Sequence, residues 1–206
     1  LLQPFMPLLL SFSGRAEMKN LIATEAAGKA IKLHRERMYS GLYVNELLVR
    51  LLHRDDAHPR LFACYGQTLD ALAGPAVLDT VLRQFEFTLL EELGYSFDFN
   101  LDGYSGAPVQ EDGWYHYHPD FGLVARGDTL DPSRPAFAGS DLLIMASGEF
   151  GAEVRLTAKR LLRQVLAVHL GDAPLKSRDL FRNVGAGEGG TAGGETQAAA
   201  AKVSKR

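Results

Sequence analysis

YSGLYVNELLVRLLH, residues 39–53, spaces its apolar side chains for a helix: Leu42, Tyr43, Leu47, Leu48, Leu51 and Leu52 fall on one broad stripe, with Ser40 placed to cap. The stripe predicts a helix with one face in a core. Downstream, Pro59 suits the first turn of a second helix, in which Leu61, Phe62, Tyr65, Leu69 and Leu72 recur at intervals of three and four before Gly74. A third helix, from about Ala76 to Leu93, aligns Val77, Val81, Phe85, Leu89 and Leu93 and stops at Gly94. Three consecutive helices of this kind predict a bundle.

Upstream of the bundle the pattern changes. PFMPLLLSF is extended, Ser13-Gly14 is turn chemistry, and Met18 to Ala23 continues as a second strand. Between Tyr95 and Gly139 the helical period is lost and Gly and Pro recur, which predicts an irregular insertion with a small hairpin of Trp114 to Tyr117 and Gly122 to Ala125. Helix resumes at Asp141 to Ala146 and in EVRLTAKRLLRQVLAVHL, residues 153–170, which Gly171 ends. KSRDLFRNV, residues 176–184, predicts a short final helix. The expected fold is therefore mainly α, of the α+β class. It comprises a hairpin region at 1–30, a helical domain at 31–184 with its insertion at about 95–139, and a Gly- and Ala-rich disordered tail at 185–206.

The composition excludes several classes. The 206 residues are 46% hydrophobic and 23% charged, which describes a globular chain able to bury a core. Even the apolar opening, Leu1 to Phe12, is cut by Gln3, Pro4, Pro7 and Ser11, too short a run for a membrane span. A single cysteine, Cys64, forms no intramolecular disulfide and no thiolate zinc cluster, and reads as a small hydrophobe on the second helix. The expected localisation is cytoplasmic. The first residue is Leu and no signal-peptide pattern follows, which reads as a start inside a longer protein.

The formal charge of -3 conceals segregation. Residues 1–60 carry nine Lys or Arg against six acids, residues 84–125 carry eight acids and no Lys or Arg, and from Arg155 to Arg182 seven Lys or Arg face two acids. Basic ends around an acidic middle can steer an anionic partner such as nucleic acid to one face, although a helix with scattered solvated bases has the same composition.

No catalytic pattern stands out. The chain has no GxSxG, no phosphate-binding loop ending in Lys-Ser or Lys-Thr, and no HExxH. His116 and His118 lie two apart in a predicted strand with Asp120 nearby, a spacing that could converge on one ion, as in a small metal-dependent hydrolase, or simply decorate a surface strand.

Five blocks, in order and with compatible spacing, resemble the bacterial recombination mediator family RecO. They are LQPFMPLLLSFSGRAEMKNL, EAAG, YSGLYVNELLVRLL, LRQFEFTLLEELGY and AKRLLRQVLAVHLGDAPLKSRDLFR, spanning roughly residues 2–182. The resemblance implies an N-terminal oligonucleotide-binding barrel, a helical bundle and, in many members, a zinc-holding segment of four cysteines. Such a barrel has five strands. Its first three would precede Leu1, so only its last hairpin is expected here. The zinc segment would lie between Tyr95 and Val124, which contains no Cys, so no structural zinc or other cofactor is expected.

The resemblance also implies a DNA repair and recombination mediator rather than an enzyme. Such proteins bind single- and double-stranded DNA and the single-stranded-DNA-binding protein, promote strand annealing and support recombinase loading with RecR. If the incomplete barrel no longer binds DNA, a protein-only adaptor is the alternative. Arg15, Lys19, Lys29 and Lys32 are candidate phosphate contacts near the barrel remnant, and Arg155, Lys159 and Arg163 form a second stripe at i, i+4, i+8. The partner protein's tail is acidic and ends in apolar residues. Leu42, Tyr43 and Phe85 are the expected groove for it, and Arg83, the basic residue of the LRxFE block, is the expected cation at the rim. Arg83 could instead pair with Asp79 or Glu86 on its own helix. Groove and basic stripe are expected to be separate surfaces.

Overall fold

The computed structural model describes residues 2–15, 18–127 and 134–181. The expected disordered tail therefore lies outside the described residues, as does Arg182.

Two strands open the chain. β1 (Leu8–Ser13) pairs antiparallel with β2 (Asn20–Ala26), Leu8 opposite Ala26 and Ser13 opposite Asn20, with a bulge between Ser11 and Phe12. Among the described residues no third strand joins this hairpin, and Leu9, Phe12, Leu21 and Ile22 stay exposed. What ties the hairpin to the helices is the chain on either side of it. Phe5 and Leu33 press against the helix at Gly41, where a Cβ would stand 2.7 Å from both side chains, so only glycine permits the approach.

α1 (Glu36–Leu51) begins a full turn before the position the sequence suggested. Ser40 is consequently not a cap: it lies fully buried inside the helix and returns its hydroxyl to the Glu36 carbonyl at 2.8 Å. α2 (Pro59–Ala73) starts on its proline, and Arg37 closes its far end by donating to the carbonyls of Leu72 and Ala76, each at 3.0 Å. α3 (Leu78–Glu92) ends as predicted at Gly94, whose φ of 75° lets Gly94 N–H reach Glu91 and Tyr95 N–H reach Leu90. α4 (Gly139–Ala146) and α5 (Arg155–Leu170) complete the bundle. Val44, Leu47, Phe85, Leu89, Leu142, Leu161, Leu162 and Val165 form its fully buried centre.

The described part of the insertion holds the expected hairpin and a third strand that the sequence did not suggest. β3 (Trp114–His118) runs between β4 (Gly122–Ala125) and the two-residue β5 (Phe137–Ala138), antiparallel to both. An aromatic cluster joins this sheet to the bundle: Phe87 of α3 packs against Phe99 and Phe150, and Phe97 against Phe99 and Tyr117. Asp102 ties the loops. Its buried carboxylate accepts the N–H groups of Tyr104, Ser105 and Ala125 at 2.8–2.9 Å.

After α5 the chain turns back along α1. Arg50 donates to the Leu170 carbonyl at 2.5 Å and the Pro174 carbonyl at 3.3 Å, leading into a helical turn at 177–181.

Candidate functional site

Between α1, α3, α5 and the turn at 177–181 lies a cavity of about 600 Å³. Tyr43 comes from the face of α1 that the opening stretch set toward the core. Val77, Leu78 and Leu82 come from the start of α3, and Phe181 from the final turn, held edge-on to Tyr39 with ring centres 5.8 Å apart. These give the cavity an apolar lining. Five bases (Arg83, Arg155, Lys159, Arg163, Arg178) and three acids (Glu36, Asp79, Glu86) complete it. The excess of positive charge over an apolar surface favours a ligand that is both anionic and apolar.

Three of these groups form a buried network. Glu86 Oε1 accepts the Tyr43 hydroxyl and Arg83 Nη2, each at 2.6 Å. All three side chains are nearly inaccessible, Arg83 being 5% exposed and Glu86 1%. Burial pushes the Glu86 carboxyl up, with the Arg83 charge and the Tyr43 hydroxyl acting against that rise. Burial first, then the neighbouring Glu86, pushes the Tyr43 hydroxyl well up. Arg83 Nε and Glu86 Oε2 have no hydrogen-bond partner among the described residues. A buried donor left this way is a ready site for an entering acceptor.

The rim is built on α5. Ala158, Leu161, Leu162, Val165 and Leu166 fill one side of this helix and are buried, which leaves Arg155, Lys159 and Arg163 together on the exposed side. Asp79 at the start of α3 faces two of them, 3.9 Å from Arg155 Nε and 3.6 Å from Lys159 Nζ. The pairs are part-exposed and individually weak, so both cations remain open to exchange Asp79 for another anion.

The residues singled out in the sequence are thus regrouped. Tyr43, Arg83, Arg155, Lys159 and Arg163 line one cavity, so the groove and the basic stripe are not separate surfaces. Arg83 sits beneath the rim, in the pair with Glu86 that its i, i+3 spacing allowed. Phe85 points into the core at 1% exposure and Leu42 is half-buried, and neither lines the cavity. Arg15, Lys19, Lys29 and Lys32 are all exposed on the hairpin and its connection to α1, away from the cavity lining, with Lys19 Nζ 3.4 Å from the Gly14 carbonyl.

Arg178 and Phe181 were missed because the short helix predicted at 176–184 carries no sign in its own sequence of which helices it packs against. Their signal was the mixed basic and aromatic content of KSRDLF. The metal alternative gains no support from the geometry: buried His116 has Nδ1 2.9 Å from the Pro135 carbonyl, while half-exposed His118 accepts the Asp120 N–H at 3.2 Å. Among the described residues no group of His, Cys, Asp and Glu could hold an ion. No helix among them is long and apolar enough to cross a membrane.

Comparison with known proteins yields a consistent set of relatives. A family model described as "Recombination protein O C terminal" matches residues 33–179. "DNA repair protein RecO" of Pseudomonas entomophila is 46% identical over 183 residues, covering 88% of this chain and 79% of the relative. The protein of that name from Methylococcus capsulatus is 43% identical over 183 residues, 88% of this chain and 74% of the relative. The one from Pseudoalteromonas atlantica is 41% identical over 182 residues, 88% and 75% respectively.

Proposed function

The chain belongs to the RecO family, whose members are named DNA repair proteins, and from that premise we propose that it is a recombination mediator acting by binding rather than by chemistry. In this reading it binds single- and double-stranded DNA, engages the acidic C-terminal tail of the single-stranded-DNA-binding protein, promotes annealing and supports recombinase loading with RecR. One observation carries the reading: the cavity between α1, α3 and α5 combines an apolar lining with five bases. An acidic tail with an apolar end satisfies both halves of that surface. Its apolar side chains would sit against Tyr43, Leu82 and Phe181, and its carboxylates would meet Arg178 and the α5 bases.

DNA contact in this proposal uses Arg155, Lys159 and Arg163, with Arg15, Lys19, Lys29 and Lys32 adding phosphate contacts from the hairpin side. Neutralising phosphates releases counterions, so affinity should fall steeply with salt. Tail binding should be less salt-sensitive, because part of it is apolar burial. Fluorescence anisotropy with a labelled tail peptide and with labelled single-stranded DNA, each over a salt series, tests both. Saturable peptide binding weakened by Phe181→Ala supports the proposal. A peptide that fails to bind, or binds Phe181→Ala equally well, would remove the cavity as the receptor.

A further inference from the structure

We infer that a second cavity, at the far ends of α3 and α5, receives an arginine side chain from a basic segment of a partner protein. The inference stands apart from the tail receptor and from DNA contact. It gives a use to residues 84–125, whose eight acids and absence of Lys and Arg neither of those employs.

This cavity, of about 310 Å³, lies between the turn that ends α3, the turn joining β3 to β4, and the last turn of α5. Its volume is at the small end for ligand sites, which suits one or two side chains. Tyr95, Phe97, Tyr117 and Phe121 line it, together with the carboxylates of Asp98 and Asp120. No Lys or Arg is among the described residues of the lining. Negative charge over aromatic faces selects a cation. A guanidinium suits it best, because its flat fork stacks on rings while donating to carboxylates.

The walls are already in place. Tyr95 stacks on His169, ring centres 3.7 Å apart and planes 8° from parallel. Phe121, 45% exposed, is braced by His118 at 4.9 Å and edge-on by Tyr104 at 5.5 Å. Burial pushes the His169 imidazole down, so it is neutral at pH 7 and does not repel a cation.

Both carboxylates keep acceptor capacity. Asp98 accepts the Asn100 N–H and side-chain amide through Oδ1 alone, at 2.7 and 3.1 Å. Asp120 Oδ2 lies 3.9 Å from His118 Nδ1, but that nitrogen already accepts the Asp120 N–H and so donates nothing to the carboxylate. Arg50 and Arg60 are held elsewhere, Arg50 by the carbonyls of Leu170 and Pro174 and Arg60 by Glu91 and Glu92. At the floor, Tyr117 is 4% exposed, yet its hydroxyl makes no hydrogen bond to a described residue. Burial first, then the Asp120 charge, pushes that hydroxyl up, as fits a group turned towards the Asp120 carboxylate. A buried hydroxyl in this position can accept a guanidinium N–H.

The experiment titrates the full chain with a labelled peptide of alternating Arg and Gly, read by anisotropy at low salt, beside peptides with Lys or citrulline in place of Arg. The Lys peptide should bind about two- to fivefold more weakly, and the citrulline peptide should not bind. Asp120→Asn, at an exposed position, and Tyr117→Phe should each weaken the Arg peptide about two- to fivefold with the melting temperature unchanged. The His169 ring protons should shift in NMR spectra as that peptide is added. Glu111→Gln combined with Asp112→Asn, at acids outside the cavity, should leave its affinity unaltered. Equal affinity for the Arg and Lys peptides, or an equal loss in the Glu111, Asp112 variant, would reduce the attraction to bulk charge and overturn the inference. So would a peptide that fails to bind, or one that binds without sensing Asp120→Asn and Tyr117→Phe. If Phe121→Ala weakens single-stranded DNA and leaves the Arg peptide unaffected, the aromatic wall stacks bases and the arginine site is overturned.

Discussion

Glu46 Oε2 accepts the Ser177 hydroxyl at 2.6 Å, and the two oxygens of the same carboxylate take the backbone N–H groups of Lys176 and Ser177 at 2.8 Å. A residue of α1 thereby caps the helical turn that carries Arg178 and Phe181 into the cavity wall. Glu46 does not itself line the cavity. Glu46→Ala should nevertheless weaken tail binding by roughly three- to tenfold, because the capped turn opens locally before the bundle does. Hydrogen exchange should quicken at residues 176–181 and stay unchanged in α3. Unaltered peptide affinity with faster exchange would show that the turn is not part of the receptor.

The buried pair changes what an Arg83 substitution reports. Arg83→Ala strands the Glu86 carboxylate at 1% exposure, so the variant should lose about 3–5 kcal/mol of stability apart from any effect on binding. Glu86→Gln keeps an acceptor for the Tyr43 hydroxyl and releases the Arg83 charge from its carboxylate. That variant leaves the Arg83 charge unpaired at 5% exposure and should lose stability as well, but while folded it should hold the acidic peptide more tightly, by about two- to fivefold for a gain of roughly 0.5–1 kcal/mol. The Arg83→Met, Glu86→Gln double variant should recover most of the stability and bind the peptide less tightly than Glu86→Gln alone. Thermal melts beside anisotropy separate the two effects, and equal affinity in Glu86→Gln and the double variant would take Arg83 out of recognition.

Much of the bundle was legible because helix periodicity and burial coincide. Leu47, Leu51, Phe85 and Leu89 recur at helical spacing and all are buried. The start of α1 was misread at Ser40 because a hydroxyl before an apolar run is the usual cap signal, whereas this one bonds back into its own helix. β5 was invisible, since two residues carry no period. The site was half legible. Bases spaced by four on α5 announced the stripe, but spacing within one helix cannot say which other helix stands opposite. That required the packing of α3 against α5, which brings Asp79 to Arg155 and Lys159.

Asp79 gives a prediction of opposite sign to a loss of charge. Removing its carboxylate frees two bases at the cavity rim, so Asp79→Asn should strengthen both peptide and DNA binding at low salt. A two- to fivefold gain, about 0.5–1 kcal/mol, matches what part-exposed pairs contribute. The gain should vanish at high salt. Arg155→Ala, Lys159→Ala, Arg163→Ala combined should instead lower the DNA salt slope by up to about 3 units, uniformly across sequences. A triple variant with the parent slope would place the phosphate contacts elsewhere, with Arg15, Lys19, Lys29 and Lys32 next to be tested.

Asp102 sets the acid limit of the insertion. Burial pushes its carboxyl up, but the N–H groups of Ser105, Ala125 and Tyr104 outweigh burial and hold it below the usual value. A carboxyl lowered on folding stabilises the native state above its unfolded pKa, near 4, and that contribution is lost as pH falls through the lower folded value. The insertion should therefore loosen below about pH 4. Asp102→Ala takes the shared acceptor away from three part-buried backbone donors and should cost about 1–3 kcal/mol at neutral pH. The gap between parent and variant melting temperatures should narrow as pH drops from about 5 to about 2, because the parent loses by protonation what the variant lacks by substitution. Trp114, half-exposed at the start of β3, reports on the sheet by its fluorescence. A gap that stays constant over that range would mean that Asp102 holds the loops without its charge.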